Sequence, residues 1–174
     1  KVADLLEKMP ADEAADVLEA LKEEIKELLL GEMESEASAE VRDLMEYPDD
    51  SVGSIMSTDY IFFDKDETVS ATIETLRRQK PESDVIYYLY ITDNEEHLVA
   101  NVSLRDLIVS DPSTRLSEIM NEDVVFVYDS DSIESLGEII AKYNLLAVPV
   151  VDEEHVLMGM VIINDVIHNL LRLR

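Results

Sequence analysis

The sequence predicts a mixed α+β fold in two parts: a small all-α segment over residues 1–47, then an α/β region built from two tandem β-α-β-β-α repeats. Three observations predict it. Apolar residues recur at helical spacing in the first part, the pattern changes to short strand-like runs after it, and the pattern of residues 48–112 recurs in residues 113–174. One repeat alone leaves an apolar sheet face uncovered, so the two repeats are expected to pack around a pseudo-twofold axis.

The all-α segment is predicted to hold three or four short helices. Pro10 is expected to begin the second helix or end the first, and Gly31 is expected to end a later one. The positions that show the helical spacing are Val2, Leu5, Leu6 and Met9, then Ala14, Val17, Leu18 and Leu21, then Ile25, Leu28 and Leu29, then Val41, Leu44 and Met45.

A composition break over residues 47–53 marks the boundary between the two parts. Beyond it the two repeats align element by element, beginning with Ile55-Met56 against Ile119-Met120. The same alignment gives His97 and His155 equivalent turn positions. Each repeat then reads strand, acidic turn, strand, helix, so the pair is predicted to be the folding unit.

The composition is that of a folded chain with a large negative charge. With 174 residues, of which 47% are hydrophobic, the chain can bury a core. The 40 acidic residues against 14 basic ones give a formal net charge of −26, which would repel the phosphates of nucleic acids and the anionic surface of a membrane. The same imbalance makes the folded state repel itself, so a divalent cation is expected to stabilise the compact form.

The sequence lacks both cysteine and any segment typical of a membrane span or a signal peptide. There is no cysteine, which excludes disulfides and thiolate zinc sites. No apolar run reaches the ~18 residues that a membrane span needs, and no signal peptide precedes the first helical pattern, so the chain is expected to be soluble. The sequence starts without methionine and ends inside a helical pattern, Val166 to Arg174, which predicts a piece of a longer protein.

Four acidic residues of the predicted second helix fall on one face: Asp12, Asp16, Glu19 and Glu23, at steps of four, three and four residues. Like charges at this spacing cost a few tenths of a kcal/mol each without a compensating cation, whereas Mg²⁺ and Ca²⁺ prefer carboxylate oxygens. The stripe is therefore either a cation-holding surface opposite another acidic face or a solvated helix face.

A second candidate site lies at the end of a strand, where Ser103-Leu-Arg-Asp106 opens a helix. A hydroxyl at that point can reach a ribose or phosphate, the carboxylate can accept from ribose hydroxyls, and Arg105 can pair with a phosphate. The alternative is that Ser103 simply caps the helix. The second repeat has Ile162 in place of the serine, so at most one such site is expected.

Nothing in the sequence indicates catalysis. There is no nucleophile beside a recognisable base, no glycine-rich phosphate loop and no metal-hydrolase spacing. Four glycines in the whole chain leave little room for a phosphate loop. The chain is therefore predicted not to be an enzyme.

The duplicated pattern, its opening Ile-Met and the aspartate that starts each closing helix resemble the CBS motif over Ser54 to Leu171. Three stretches are similar to the MgtE transporters in particular: Tyr47 to Met56, Val102 to Leu107, and Asp111-Pro112. In that family an acidic helical domain precedes the CBS pair, and a long helix then leads to the membrane pore. The order of elements in this chain is the same.

The resemblance implies the cytoplasmic, magnesium-sensing region of an MgtE-type transporter in the inner or plasma membrane. Its partners would be a second copy, bound through the CBS faces, and the transmembrane pore domain of the same full-length protein. The implied Mg²⁺ ligands are Asp12 and Asp16 on the helical segment, with Glu134 and Asp165 on the second repeat.

Two neighbouring positions depart from the family pattern. Asn144 and His168 stand where carboxylates are expected, which leaves the full set of ion sites open.

The alternative function is an adenine-nucleotide sensor without metal sensing. The CBS resemblance makes Ser103 and Asp106 nucleotide contacts, and it places Tyr88 beside the adenine. Together with Arg105 these residues form the candidate site for ATP or AMP.

Overall fold

The computed structural model describes residues 2–81 and 85–172. The first part holds four helices, as the periodicity predicts: α1 (Ala3–Leu6), α2 (Ala11–Glu19), α3 (Glu23–Glu32) and α4 (Ser35–Met45). Pro10 immediately precedes α2, because its fixed φ suits the start of a helix. Among the described residues, no helix has both the length and the apolar character needed to cross a bilayer.

Two details of the helical prediction are wrong. Gly31 does not end a helix, since α3 continues through it to Glu32. Glu23 is not on the second helix: α2 ends at Glu19, Lys22 is extended with ψ 142°, and Glu23 begins α3. No proline or glycine marks this break. The helix α2 packs against α4, and the predicted acidic stripe ends at Glu19, the last residue of α2.

The second part is the predicted α/β region. Its first repeat contains β1 (Phe62–Asp64), α5 (Val69–Gln79), β2 (Tyr88–Thr92), β3 (Leu98–Ser103) and α6 (Leu104–Val109). The second contains β4 (Val127–Tyr128), α7 (Ile133–Tyr143), β5 (Ala147–Val151), β6 (Leu157–Ile162) and α8 (Ile163–Arg172). Each repeat forms a three-stranded sheet in chain order, with a parallel first pair and an antiparallel second pair. The predicted fold class is confirmed.

The turn between the two antiparallel strands corrects the alignment of the histidines. In each repeat an aspartate opens the turn, and the residue three positions later has positive φ: Glu96 at 64° and His155 at 70°. The amide of Asp93 donates to the carbonyl of His97 in the first turn, and Asp152 donates to Val156 in the second. His155 is therefore the counterpart of Glu96, and the position equivalent to His97 is Val156.

The opening segment of each repeat is attached to the sheet of the other repeat. Ser57 exchanges backbone hydrogen bonds of 2.8 and 2.9 Å with Met160 on β6, and Asn121 exchanges bonds of 2.8 and 3.0 Å with Asn101 on β3. Gly159 allows the first of these approaches, because a Cβ there would lie 2.7 Å from the carbonyl oxygen of Ser57. The two repeats are thus interlocked as well as packed face to face.

The connection between the two parts is fixed to the second repeat. The amides of Val52 and Gly53 donate to the carbonyls of Asp131 and Asp129, each at 2.8 Å. The hydroxyl of Tyr47 donates to Oδ2 of Asp129 at 3.0 Å, and burial together with this bond raises the pKa of Tyr47 to about 12. One apolar core runs from the helical segment into the second repeat. The helical segment therefore lies against the second repeat.

Candidate functional site

A cleft of about 500 Å³ lies between the helical segment and the second repeat. We call it the seam cleft. The start of α2 lines one wall with Asp12 and Asp16, and the start of α8 lines the other with Asp165 and His168. Asp59 closes the cleft from the opening segment of the first repeat. Three of the four residues predicted to bind Mg²⁺ thus line one cavity.

Asp12 is the most perturbed carboxylate of the cleft. Its Oδ1 is buried and has no hydrogen-bond partner among the described residues. The pKa of Asp12 is raised to about 6: burial is the main cause, a backbone hydrogen bond at the helix start opposes it, and the charges of Asp165, Glu13 and Asp59 add to it. Asp12 is therefore a carboxylate whose charge the fold tolerates poorly.

These groups fit a hydrated divalent cation. Mg²⁺ takes oxygen ligands and keeps several of its waters, so it needs few direct carboxylate bonds. Within residues 2–81 and 85–172, no three His, Cys, Asp or Glu side chains are grouped closely enough to hold a bare ion. The unpartnered oxygen of Asp12, facing the charges of Asp165 and Asp59, matches an ion that retains water.

Some predicted positions lie elsewhere. Glu134 is exposed in the first turn of α7 and does not line the seam cleft, and its role in metal binding stays a prediction. Asn144 has φ 51° and caps the C-terminus of α7, as Lys80 with φ 50° caps α5. Asparagine tolerates this left-handed conformation better than most residues, which explains the amide at that position.

Asp59, Glu7 and Glu13 also line the seam cleft and were not predicted from the sequence. The alignment of the two repeats contains a signal for Asp59. It is the counterpart of Asp123, which lines a pocket in the other half of the pair. No comparable signal marks Glu7 and Glu13, because the approach of their helices to the second repeat is a tertiary contact.

The second cavity has a volume of about 380 Å³, and we call it the first-repeat pocket. Tyr88, Ser103 and Asp106 line it, so three of the four predicted nucleotide contacts come together. Arg105 does not line it: its side chain is 79% exposed, and Nη1 lies 3.1 Å from Oδ1 of Asp106. From the second repeat Asp123 and Pro149 complete the pocket.

Ser103 caps the helix α6, as the alternative interpretation held. Its Oγ accepts the amide of Asp106 at 3.1 Å and donates to Oδ2 of the same residue at 2.7 Å. This pair of bonds holds the Asp106 carboxylate at the pocket wall. Capping and ligand binding are compatible here, because the second carboxylate oxygen of Asp106 contacts only the exposed Arg105.

The two cavities occupy equivalent places in the two repeats. The equivalent pairs are Ser57 and Asn121, Asp59 and Asp123, Asp165 and Asp106, and Ile162 and Ser103. The difference lies in what covers them. The start of α2 lies over the seam cleft, whereas no helix of the all-α segment lines the first-repeat pocket.

Two family models match the sequence. The one described as CBS domain matches residues 52–111 and 116–172, and the one described as MgtE intracellular N domain matches residues 1–50. Together they cover both parts of the fold.

Curated relatives carry the description magnesium transporter MgtE. The protein from Thermus thermophilus is 38% identical over 163 residues, covering 90% of this chain and 35% of its own length. The Bacillus subtilis protein is 35% identical, with 96% of this chain and 37% of its own length covered. The Enterococcus faecalis protein is 39% identical over 76% of this chain and 29% of its own length. The chain thus spans about a third of the length of the curated relatives that it matches.

Solved structures give the same result. The soluble part of a magnesium transporter superposes with a TM-score of 0.94 at 37% identity, covering 98% of this chain and 66% of that one. The cytosolic domain of the Mg²⁺ channel MgtE in complex with ATP superposes with a TM-score of 0.90 at 37% identity, covering 95% of this chain and 68% of that one.

Proposed function

Because the chain belongs to the MgtE family, in which it corresponds to intracellular N-domain helices followed by a CBS pair, we propose that it senses magnesium for a transporter pore. The sensing surface would be the seam cleft. The observation that carries the proposal is the buried, unpartnered Oδ1 of Asp12 opposite the charge of Asp165. The prediction that the chain is not an enzyme agrees with the family assignment, since the chain corresponds to the soluble part of magnesium transporters.

The proposed mechanism is electrostatic. Without cations, Asp12, Asp59 and Asp165 repel each other across the seam cleft and oppose the contact of the helical segment with the second repeat. A divalent ion in the cleft would offset this repulsion and favour the compact form. It can shift the equilibrium only because it binds the compact form more tightly than the open one. The helix α8, which carries Asp165, would transmit the change towards a pore on the membrane side.

We expect this cytosolic region to act as a homodimer that associates through the CBS faces. An open groove of about 490 Å³ on the second repeat supports this proposal. It is lined by the apolar and aromatic side chains of Val124, Val125, Phe126, Ile139 and Tyr143, and by the oppositely charged Glu138 and Lys142. A mostly apolar surface with few charges is typical of the core of a protein interface.

Small-angle scattering during a magnesium titration tests the sensing proposal. Millimolar MgCl₂ is expected to reduce the radius of gyration more than NaCl at the same ionic strength, because only the divalent ion can bridge the cleft. The scattering mass reports dimerisation in the same experiment. If MgCl₂ and NaCl give the same scattering profile, the chain is not a magnesium sensor.

Adenine-nucleotide binding is a second candidate function. Tyr88, Ser103 and Asp106 line the first-repeat pocket, and a related MgtE cytosolic domain has been solved in complex with ATP. We propose that this pocket binds ATP or AMP and that the two functions coexist, because the pocket and the seam cleft share no lining residue.

The variant Asp106→Ala tests the nucleotide site. It removes the carboxylate that faces the pocket, and we expect the affinity for AMP and ATP to fall at least about tenfold, as for loss of a hydrogen bond to a charged group. Isothermal titration calorimetry measures the change. Asp111→Ala is the matched control, since Asp111 is exposed and does not line the pocket. If Asp106→Ala and Asp111→Ala bind AMP and ATP with the same affinity, Asp106 is not part of the nucleotide site.

A further inference from the structure

The first-repeat pocket carries negative charge without a balancing positive one. Its charged lining residues are Asp106 and Asp123, and no Lys, Arg or His in the described part of the chain lines it. Arg105 does not line the pocket either: its side chain is 79% exposed and is paired with Asp106. A ligand with several phosphates would therefore enter a pocket whose own charge repels it.

The carboxylates of Asp106 and Asp123 differ in their hydrogen bonds and ion pairs. Asp106 accepts hydrogen bonds from Ser103 at 2.7 Å and from Arg105 at 3.1 Å, so part of its charge is compensated. Asp123 is exposed, and across the described residues its carboxylate makes no hydrogen bond or ion pair, although its backbone is held by Asn121. The uncompensated charge of the pocket is therefore that of Asp123.

We propose that Asp123 is a specificity-determining residue that disfavours phosphate-rich ligands, so that the pocket discriminates among adenine ligands by their charge. The inference rests on the proposed nucleotide binding. Asp123 lines the pocket itself, and its charge acts over about one Debye length, ~10 Å at 0.1 M ionic strength. The penalty therefore grows with each phosphate that lies within this distance.

The seam cleft offers an internal parallel. Asp59 is the counterpart of Asp123, and it lines the seam cleft as Asp123 lines the first-repeat pocket. A carboxylate at this position of the repeat thus stands at the wall of a cavity in both halves of the pair, and a phosphate in the first-repeat pocket would be repelled by it.

The test compares adenosine, AMP and ATP by calorimetry in EDTA, so that no divalent cation shields the phosphates or occupies the seam cleft. Asp123→Asn keeps the size of the side chain and removes its charge. We expect it to tighten ATP binding about five- to tenfold, AMP binding about two- to threefold, and adenosine binding less than about twofold. Glu122→Gln is the control, because it removes the same charge from the adjacent exposed residue that does not line the pocket.

Each outcome bears on the proposal. If Asp123→Asn leaves the ratio of the ATP and adenosine dissociation constants unchanged, or if Glu122→Gln changes it equally, Asp123 is not a specificity residue. Weaker binding of adenosine in Asp123→Asn would instead make the carboxylate a direct ligand contact and overturn the proposal. If none of the three ligands binds the unaltered chain, nucleotide binding itself is excluded, and this inference with it. Asp123→Ser repeats the test should the asparagine variant be poorly folded.

Discussion

Asp12→Asn is expected to abolish the stabilisation of this chain by Mg²⁺ while making the ion-free chain more stable than the unaltered one. Both effects have one origin. The carboxylate of Asp12 is desolvated and faces Asp165, Glu13 and Asp59 without a partner for its Oδ1, so its charge is unfavourable until a cation arrives. Asparagine has a similar shape and no charge, and it is a much weaker ligand for Mg²⁺.

The expected magnitudes are large enough to measure. A pKa of about 6 against an ordinary value of ~3.9 corresponds to roughly 3 kcal/mol at neutral pH, which solvent screening in an open cleft reduces to about 1–2 kcal/mol. For the unaltered chain, Mg²⁺ at 100 times its dissociation constant adds about 2.7 kcal/mol to the free energy of unfolding. Thermal denaturation of both chains in EDTA measures the cost of the Asp12 charge. The same measurement in MgCl₂, at matched ionic strength, gives the stabilisation by Mg²⁺.

The pH dependence identifies the cause. Since folding raises the pKa of Asp12, the protonated form is favoured in the fold, and the stability linked to it is present at low pH and lost as pH rises through about 6. Below about pH 3 Asp12 is almost entirely neutral in both states, so the unaltered chain and Asp12→Asn should be equally stable. Their difference should grow between about pH 3 and pH 7 and then stay constant.

Glu24→Gln is the matched control for Asp12→Asn. Glu24 is exposed on α3 and does not line the seam cleft. The change therefore removes one negative charge from the helical segment, as Asp12→Asn does, but leaves the cleft unaltered. It should preserve the response to Mg²⁺. Loss of the Mg²⁺ response in both variants would mean that net charge, and not the seam cleft, governs it.

Gly159→Ala is expected to lower the free energy of unfolding by about 2–3 kcal/mol, because a Cβ at this position would overlap the backbone of the interlocking segment. The nearest atom would be the carbonyl oxygen of Ser57 at 2.7 Å, followed by Sδ of Met56 at 3.0 Å. The carbonyl cannot move without breaking its bond to the amide of Met160, which is 2.9 Å long. For a chain of this size the melting temperature should fall by roughly 5–10 °C.

Gly137→Ala, in the same repeat, is expected to raise the free energy of unfolding. Gly137 lies inside α7, and an added Cβ would meet only Leu170 Cδ1 at an ordinary distance of 3.5 Å. Alanine stabilises a helix interior by roughly 0.5–1 kcal/mol relative to glycine. A melting temperature that falls by the same amount in both variants would contradict the close approach of Ser57 to Gly159 as the cause.

Much of the fold and part of the site could be predicted from the sequence, because they depend on patterns within one element or on the duplication. The helical spacing predicted three or four helices, of which the structure has four, and the repeated pattern predicted the pair of three-stranded sheets. The spacing of Ser103 and Asp106 was enough to place both at a helix start, and the structure adds that both line a pocket. The turn position of His155 was misaligned by one residue, since the left-handed site is filled by unrelated residues in the two repeats.

The sequence by itself determined the repeat and the helical segment, and with its resemblance to the MgtE family it supplied the candidate residues. These are Asp12, Asp16, Glu134 and Asp165 for a cation, and Tyr88, Ser103, Arg105 and Asp106 for a nucleotide. Only the tertiary structure decided which of them share a cavity. It brought Asp59 into the seam cleft and left Glu134 outside it, because these positions depend on contacts between segments far apart in the chain. The pKa of Asp12 was decided in the same way: the approach of the second repeat buries the carboxylate and brings Asp165 towards it, and no local pattern records either effect.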